Sequence, residues 1–242
     1  MKILFLGENR SRLSVECLES LLAAECGEVI VGIGSLTVGA WKCRVVRGLR
    51  RHGLRGELAC VARRAERVWE ALRKGAGRRQ GERSLWDVLA EHPGIPHFKI
   101  PDINAPGNVA RLRALAQDVI LVAAFQQILK PAVLDMPRLG CINVHPSLLP
   151  RYRGPAPFYW MRRNGERVAG VTVHYMDEGI DTGDIIAQET FEMETEDDRS
   201  LRTKSAAISA RLLVETARRL AAGESLPRRP QDHAQATYFT LP

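Results

Sequence analysis

Short runs of apolar residues recur along the chain and are separated by polar turns. Runs of about four to eight residues bounded by turn residues are typical of strands that are buried on both faces of a sheet. The predicted strands are Lys2–Gly7, Glu28–Gly34, His97–Ile100, Val119–Ala123, Cys141–Val144, Gly170–Met176 and Ile185–Phe191.

Between these runs the apolar residues follow helical spacing. Leu13, Cys17, Leu18, Leu21 and Leu22, for example, fall on one stripe of a helix. Helices are predicted over Ser11–Glu25, Ala40–His52, Arg63–Lys74, Asn108–Gln117, Pro157–Asn164 and Ser200–Ala222.

The alternation of strands and helices predicts an α/β protein, with a Rossmann-like, open, mostly parallel sheet and helices on both faces. Ligands of such sheets bind outside the carboxyl ends of the strands. Asn143, His145 and the loop after Ala123 fall at such ends. We therefore expect the functional site at that edge of the sheet.

Composition is ordinary for a globular protein: the 242 residues are 45% hydrophobic and 26% charged. No apolar run approaches the roughly 20 residues that a membrane-spanning helix needs, and the first run turns polar too early for a signal peptide. The five cysteines lack the spacing of metal ligands. We expect a cytoplasmic protein with reduced thiols, without a bound metal and without membrane contact.

Positive charge is concentrated in one segment. Trp41–Arg83 contains fourteen Lys or Arg residues and four Asp or Glu residues, whereas the whole chain carries a net charge of +7. Such a segment suits a solvated helical insertion, a subunit contact, or a surface that attracts a nucleotide diphosphate or an RNA backbone. The order of its residues does not choose among these interpretations.

The run CINVHPSLLPRYRG, Cys141–Gly154, carries the strongest chemical signal. Asn143 and His145 are two residues apart on a predicted strand, so their side chains point to the same face. An Asn N–H can stabilise a developing oxyanion, and His is the side chain best suited to move protons near neutral pH. His174, on a later strand, is interpreted as a strand residue that faces the edge of the core.

A second segment, Met176–Asp184, supplies carboxylates in a loop that also contains two glycines. Asp177, Asp181 or Asp184 could orient the imidazole of a nearby histidine. Chemistry alone leaves the choice among the three open.

At this order and spacing, the two segments resemble the folate-dependent formyltransferase family. A third segment, Asp118–Leu129 followed by Lys130-Pro131, is similar to the strand and loop that line the folate pocket of that family. The similarity covers residues from about 95 to 190 and extends to Met1–Ser35.

The resemblance implies formyl transfer from N10-formyltetrahydrofolate, the co-substrate, to an amine. By the resemblance, Asn143 donates a hydrogen bond to the oxygen that gains charge, His145 moves protons, and Asp181 is the carboxylate that partners the histidine. No metal is required for this chemistry.

The resemblance also implies which residues contact each ligand. For the folate these are Phe125, Gln127, Ile128, Leu129, Asp177, Glu178, Gly179 and Ile180. For the amine substrate they are Ser147, Arg151, Tyr152, Arg153 and Gly154.

We expect a catalytic domain over residues 1–190, with a basic helical insertion at about 36–94. A C-terminal helix and short tail follow over residues 191–242, without the separate β-barrel domain of family members that act on methionyl-tRNA. The tail resembles that of members with small substrates, so the expected acceptor is a small anionic amine, a nucleotide-linked amino sugar.

Other acceptors and other functions stay open on the sequence alone. A hydroxyornithine-like amine, glycinamide ribonucleotide or methionyl-tRNA could replace the amino sugar. Hydrolysis of 10-formyltetrahydrofolate would use the same three catalytic residues. A non-catalytic RNA-binding module is a further alternative, although we expect no specific binding of nucleic acid. A homodimer is also left open.

Overall fold

The computed structural model describes residues 1–34, 83–193 and 197–240. Within these ranges, seven strands form one sheet in the order β3-β2-β1-β4-β5-β6-β7. They are β1 (Lys2–Glu8), β2 (Glu28–Gly34), β3 (His97–Ile100), β4 (Val119–Ala123), β5 (Cys141–His145), β6 (Val168–Tyr175) and β7 (Ile185–Glu192). Strands β1 to β5 are parallel, whereas β6 and β7 run antiparallel to their neighbours. The predicted Rossmann-like, mostly parallel sheet is confirmed.

The described helices are α1 (Arg12–Ala23), α2 (Leu85–Glu91), α3 (Pro106–Leu115), α4 (Pro131–Leu134), α5 (Pro157–Arg163) and α6 (Asp198–Ala221). Side chains cap three of them: Ser11 accepts from a first-turn N–H of α1, and Asp197 does the same for α6. At α2, Ser84 and Asp87 form a reciprocal capping box. No helix among the described residues is long and apolar enough to cross a membrane.

Strand β1 lies inside the sheet, between β2 and β4, and its apolar run is continuous. Ile3 and Phe5 belong to the core on one face of the sheet, and Leu4 and Leu6 belong to the core on the other. Because successive side chains of a strand point to opposite faces, a strand covered on both sides must be apolar at every position. Helices α1, α2 and α6 pack on the first face, and α3 and α4 on the second.

An insertion is predicted at about 36–94, and the structure describes residues 83–94 of that range. Leu85, Val88 and Leu89 of α2 are buried in the same core cluster as α1, so this helix is part of the main fold rather than of an insertion. The helices predicted at Ala40–His52 and Arg63–Lys74 lie outside the described residues. The same holds for the basic segment except Arg83, which pairs with Glu19 and Glu91.

The topology brings the sequence motifs to one edge of the sheet. Strands β1, β4 and β5 are adjacent and parallel, so their carboxyl ends lie side by side. The antiparallel strand β6 then returns along β5, which places its carboxyl half beside Asn143.

Candidate active site

Strand β5 and strand β6 place two polar side chains opposite each other. In their register Asn143 pairs with His174, and His145 pairs with Thr172. The amide nitrogen Nδ2 of Asn143 lies 3.2 Å from Nε2 of His174. The predicted shared face of Asn143 and His145 therefore includes a second histidine, so His174 belongs to the site rather than only to the core edge.

Asp181 lies between the two histidines. Its Oδ2 is 3.6 Å from Nδ1 of His145, and its Oδ1 is 3.7 Å from Nε2 of His174. The backbone N–H of Gly154 donates to Oδ2 at 2.8 Å. Asp181 itself has φ of 54°, in the left-handed region. Among the three candidate aspartates the structure thus brings Asp181 to the imidazoles.

His145 is 7% exposed, and both of its ring nitrogens face oxygen atoms. Nε2 lies 2.9 Å from the carbonyl oxygen of Tyr152, which can only accept, so we assign a proton to Nε2. The exchangeable position is then Nδ1, which faces Asp181. A proton taken up there is stabilised by the carboxylate.

His174 is 2% exposed and is set up as a neutral acceptor. Its Nδ1 donates to the carbonyl oxygen of Tyr175 at 2.7 Å, which leaves the Nε2 lone pair for Asn143. Burial lowers the pKa of His174 to about 4; the charge of His145 lowers it further, and Asp181 only partly opposes the change. The neutral ring fixes the orientation of the Asn143 amide and leaves its second N–H for a ligand.

Asp181 is held as a carboxylate. Burial by itself raises the pKa of Asp181, but His145, His174, the Gly154 N–H and the Arg153 guanidinium together bring the pKa below its usual value. The side chain therefore stays ionised in a site that is largely closed to water.

The low pKa of His174 predicts a pH dependence of stability. An unfolded histidine takes up a proton near pH 6.5, whereas the folded ring does so only near pH 4, so stability falls as the pH is lowered between these values. At pH 5 we expect this group to cost about 2 kcal/mol relative to pH 7. Asp181 does not contribute in this window because its pKa is below its usual value.

Urea unfolding of the wild type and of His174→Gln at pH 7 and pH 5 measures this effect. The glutamine variant should lose most of the pH-dependent difference, while His92→Gln, at an exposed position, should retain it. An equal loss of stability with pH in all three proteins would show that His174 is protonated in the folded state.

Two of the residues predicted to contact the folate hold their own loop. Gln127 accepts from the N–H of Ile103 at 2.7 Å and donates to the carbonyl of Ile100 at 2.9 Å. Leu129 is buried in the core on that face. These side chains therefore fix the loop after β4.

The other predicted folate residues leave an open surface. Ile128 is 56% exposed and Ile180 is 39% exposed, although both are large and apolar. Glu178 and Gly179 are exposed beside Ile180, and Asp177 accepts from the Gly179 N–H and the Thr182 hydroxyl. That these exposed residues contact the folate stays a prediction.

Phe125 is only partly buried and packs against Gly34. A Cβ atom at Gly34 would lie 2.9 Å from the ring, so the glycine makes room for it. Because Gly34 ends β2 and Phe125 follows β4, this contact joins two loops at the same edge of the sheet.

Most of the predicted substrate residues make contacts within the protein. Ser147 is fully buried, and its hydroxyl donates to the carbonyl of Arg151 at 2.8 Å. Tyr152 is 5% exposed and donates its hydroxyl to Glu166 at 2.6 Å; burial, together with Glu166, raises the pKa of that phenol. Arg151 is exposed and pairs with Glu166.

Arg153 is 7% exposed, and its guanidinium contacts the segment after α6. Nη2 donates to Oε1 of Gln231 at 2.6 Å and lies 3.2 Å from Nδ1 of His233. The side chains of Ser147, Tyr152 and Arg153 thus shape the loop around Gly154 and Asp181.

The chain is similar to known proteins in sequence and in fold. A family model described as formyl transferase matches residues 70–216. Two curated relatives are methionyl-tRNA formyltransferases. The one from Synechococcus sp. (strain JA-3-3Ab) is 49% identical over 156 residues, which are 64% of this chain and 48% of the relative. The one from Citrifermentans bemidjiense is 45% identical over 155 residues, with the same two shares.

Among solved structures, the sugar 3N-formyl transferase WlaRD, crystallised in the presence of dTDP and 5-N-formyl-THF, superposes with a TM-score of 0.66. It is 20% identical and the match covers 99% of this chain and 69% of that one, which shows a shared fold.

The chain spans about half the length of the curated relatives it matches. The structure is an α/β domain in which Asn143, His145, His174 and Asp181 cluster at the carboxyl edge of the sheet. The matched family model covers more than half of the chain, and the chain belongs to the formyl transferase family.

Proposed function

We propose that this chain transfers a formyl group from N10-formyltetrahydrofolate to a primary amine. The observation that carries the proposal is the network of Asn143, His174, Asp181 and His145 at the carboxyl edge of the sheet. The formyl donor supplies a carbonyl carbon that is already bonded to a nitrogen leaving group, so no metal is needed to activate it.

Asn143 acts on the carbonyl oxygen. The amine nitrogen bonds to the formyl carbon, the oxygen gains negative charge, and the bond from that carbon to the folate nitrogen then breaks. One N–H of Asn143 points to His174 and the second donates to the charged oxygen. Loss of one such donor typically costs about 3–4 kcal/mol of barrier, or roughly 10²–10³ in rate.

His145 and Asp181 act on the protons. The attacking amine must lose a proton, and the departing folate nitrogen must gain one. Nδ1 of His145 faces Asp181 and can hold that proton between the two steps because the carboxylate stabilises the charged ring. Tyr152 and Gly154 fix the two groups from the opposite side.

The relatives favour methionyl-tRNA as the acceptor over the nucleotide-linked amino sugar that we expected. Relatives that share 45–49% of residues over the matched part are methionyl-tRNA formyltransferases. The sugar 3N-formyl transferase shares 20%. We therefore propose the amino group of methionyl-tRNA as the leading acceptor, and the amino sugar as the second because that structure matches 99% of the chain.

The test is donor consumption in the presence of defined acceptors. We expect the purified chain to use N10-formyltetrahydrofolate only when an amine is added, and to formylate methionyl-tRNA faster than a dTDP-linked amino sugar. The physical reason is that the site positions a nitrogen nucleophile against the carbonyl, whereas water lacks the binding contacts that hold an acceptor.

Each alternative gives a different result in the same assay. Equal turnover without any amine would establish a folate hydrolase. Formylation of the amino sugar alone would restore the acceptor that we expected from the sequence. Binding of tRNA without turnover, weakening steeply as salt is raised, would indicate an RNA-binding module.

A further inference from the structure

The segment after α6, residues 231–240 (the tail), reaches back to the candidate active site. The N–H of Arg153 donates to the carbonyl of Thr237 at 2.9 Å, and the N–H of Phe239 donates to the carbonyl of Arg153 at 3.1 Å. The Thr237 hydroxyl accepts from the N–H of Tyr152 at 2.8 Å. The tail is therefore paired with the backbone of the loop that contacts Asp181 and His145.

Gln231 is the point where the tail contacts both loops of the site. Its side chain is buried, with 6% exposed. Oε1 accepts from Nε and Nη2 of Arg153 at 3.2 and 2.6 Å. Nε2 donates to the carbonyl oxygens of Asp181 and Gly183 at 3.0 and 2.7 Å. All four hydrogen-bonding positions of the carboxamide are occupied, which defines its orientation completely.

These four hydrogen bonds hold the guanidinium of Arg153 and the backbone of the loop that contains Asp181. Asp181 has a left-handed backbone without being glycine, a conformation that persists only when its surroundings hold it. One Nε2 donor of Gln231 holds the carbonyl of Asp181 itself, the other holds the carbonyl of Gly183, and Oε1 holds the buried guanidinium of Arg153. One carboxamide thus sets the distance between the Asp181 loop and the loop that supplies Tyr152 and Gly154.

We propose that Gln231 is a positioning residue for the Asp181–His145 pair, and that the tail is a working part of the active site. This inference rests on the proposed function for its kinetic consequence. A shift of the Asp181 carboxylate away from Nδ1 of His145 should lower kcat while leaving the surface that receives the formyl donor intact. Misplacement of about 1 Å can cost about 10² in rate.

Two substitutions distinguish the hydrogen bonds of Gln231 to Arg153 from its hydrogen bonds to the Asp181 loop. Gln231→Met has similar length and removes all four bonds. Gln231→Glu keeps the acceptor for Arg153 and removes both donors to the Asp181 loop. Gln235→Ala is the control, since Gln235 is an exposed tail residue whose side chain bonds within the tail, to Asp232.

For both Gln231 variants we expect kcat to fall about tenfold to hundredfold, with KM for N10-formyltetrahydrofolate within about twofold of the wild type. Gln235→Ala should be unchanged. A kcat within twofold of the wild type in Gln231→Met would overturn the proposal, and so would a tenfold loss of kcat in Gln235→Ala. If Gln231→Met does not fold, Gln231→Glu decides alone by the same criterion.

A second readout does not depend on turnover. The titratable and charged groups that face Asp181 are His145 from β5, His174 from β6 and Arg153 from its loop. Asp177, on the same loop as Asp181, interacts with His174 and Arg153. Carbon-13 NMR of labelled aspartate carboxyls, assigned with Asp181→Asn, follows the titration of Asp181. In Gln231→Met the midpoint should rise as Arg153 moves away, and an unchanged midpoint would contradict the proposal even if the wild type proved to have no transferase activity.

Discussion

His145→Ala is expected to lower kcat by about 10²–10⁴. The imidazole that remains beside Asp181 is His174, whose pKa of about 4 keeps it from holding the proton between attack and departure. Asn143→Ala should lower kcat by about 10²–10³ through loss of the N–H that stabilises the oxygen. Steady-state kinetics with the acceptor that the wild type uses would measure both.

The combination of the two substitutions is as informative as either alone. Asn143 and His145 contact the same His174–Asp181 network, so their effects should be strongly non-additive. Most of the loss should already be present in one single variant, and the double variant should lose less than the product of the two separate losses. His92→Ala is the control, since His92 is exposed and bonds to Val88 of its own helix. Near wild-type turnover in His145→Ala would remove the catalytic assignment.

Gly154→Ala is expected to damage both folding and activity. Gly154 has φ of 90°, and a Cβ atom there would lie 2.5 Å from the carbonyl oxygen of Phe239 in the tail. The strand-like pairing of the tail with Arg153 must then open, and the N–H that donates to Asp181 must move. We expect a loss of more than about 2 kcal/mol in unfolding free energy and about 10² in kcat.

Substitutions at two other glycines distinguish the cost of backbone strain from the cost of a steric clash with the added Cβ atom. Gly165 has φ of 70°, and no described atom lies within 4 Å of the place that a Cβ atom would occupy. Gly165→Ala should therefore cost only the backbone strain, about 1–2 kcal/mol. Gly94 has neither restriction among the described residues, and Gly94→Ala should be close to neutral. Urea unfolding would rank the three. Equal stability of Gly154→Ala and Gly94→Ala would show that the loop adapts without cost.

The central part of the fold could be predicted because each parallel strand is buried on both faces. Strands β2 and β4 begin and end at the predicted residues. Helix α2 was not predicted, even though Ser84 and Asp87 stand three residues apart before an apolar run, which is a local signal for a capping box. This helix is short and directly follows the basic segment, so its apolar stripe is too brief to stand out from the charged residues before it.

The parts of the site that escaped prediction depend on contacts between distant residues. His174 becomes a partner of Asn143 only through the register of β5 with β6, and a shift of one residue would turn it to the other face. Gln231 reaches Asp181 across fifty residues of chain. No spacing rule within one segment reports such pairings.

The position of β1 inside the sheet has a consequence for synthesis of the chain. Its neighbours are β2, which follows soon after, and β4, which ends at Ala123. During translation β1 and β2 can pair early, but the other edge of β1 stays open until β4 has left the ribosome. An open apolar edge is a template for pairing with other chains. The interval between these two strands is therefore the period in which the nascent chain most needs protection from aggregation.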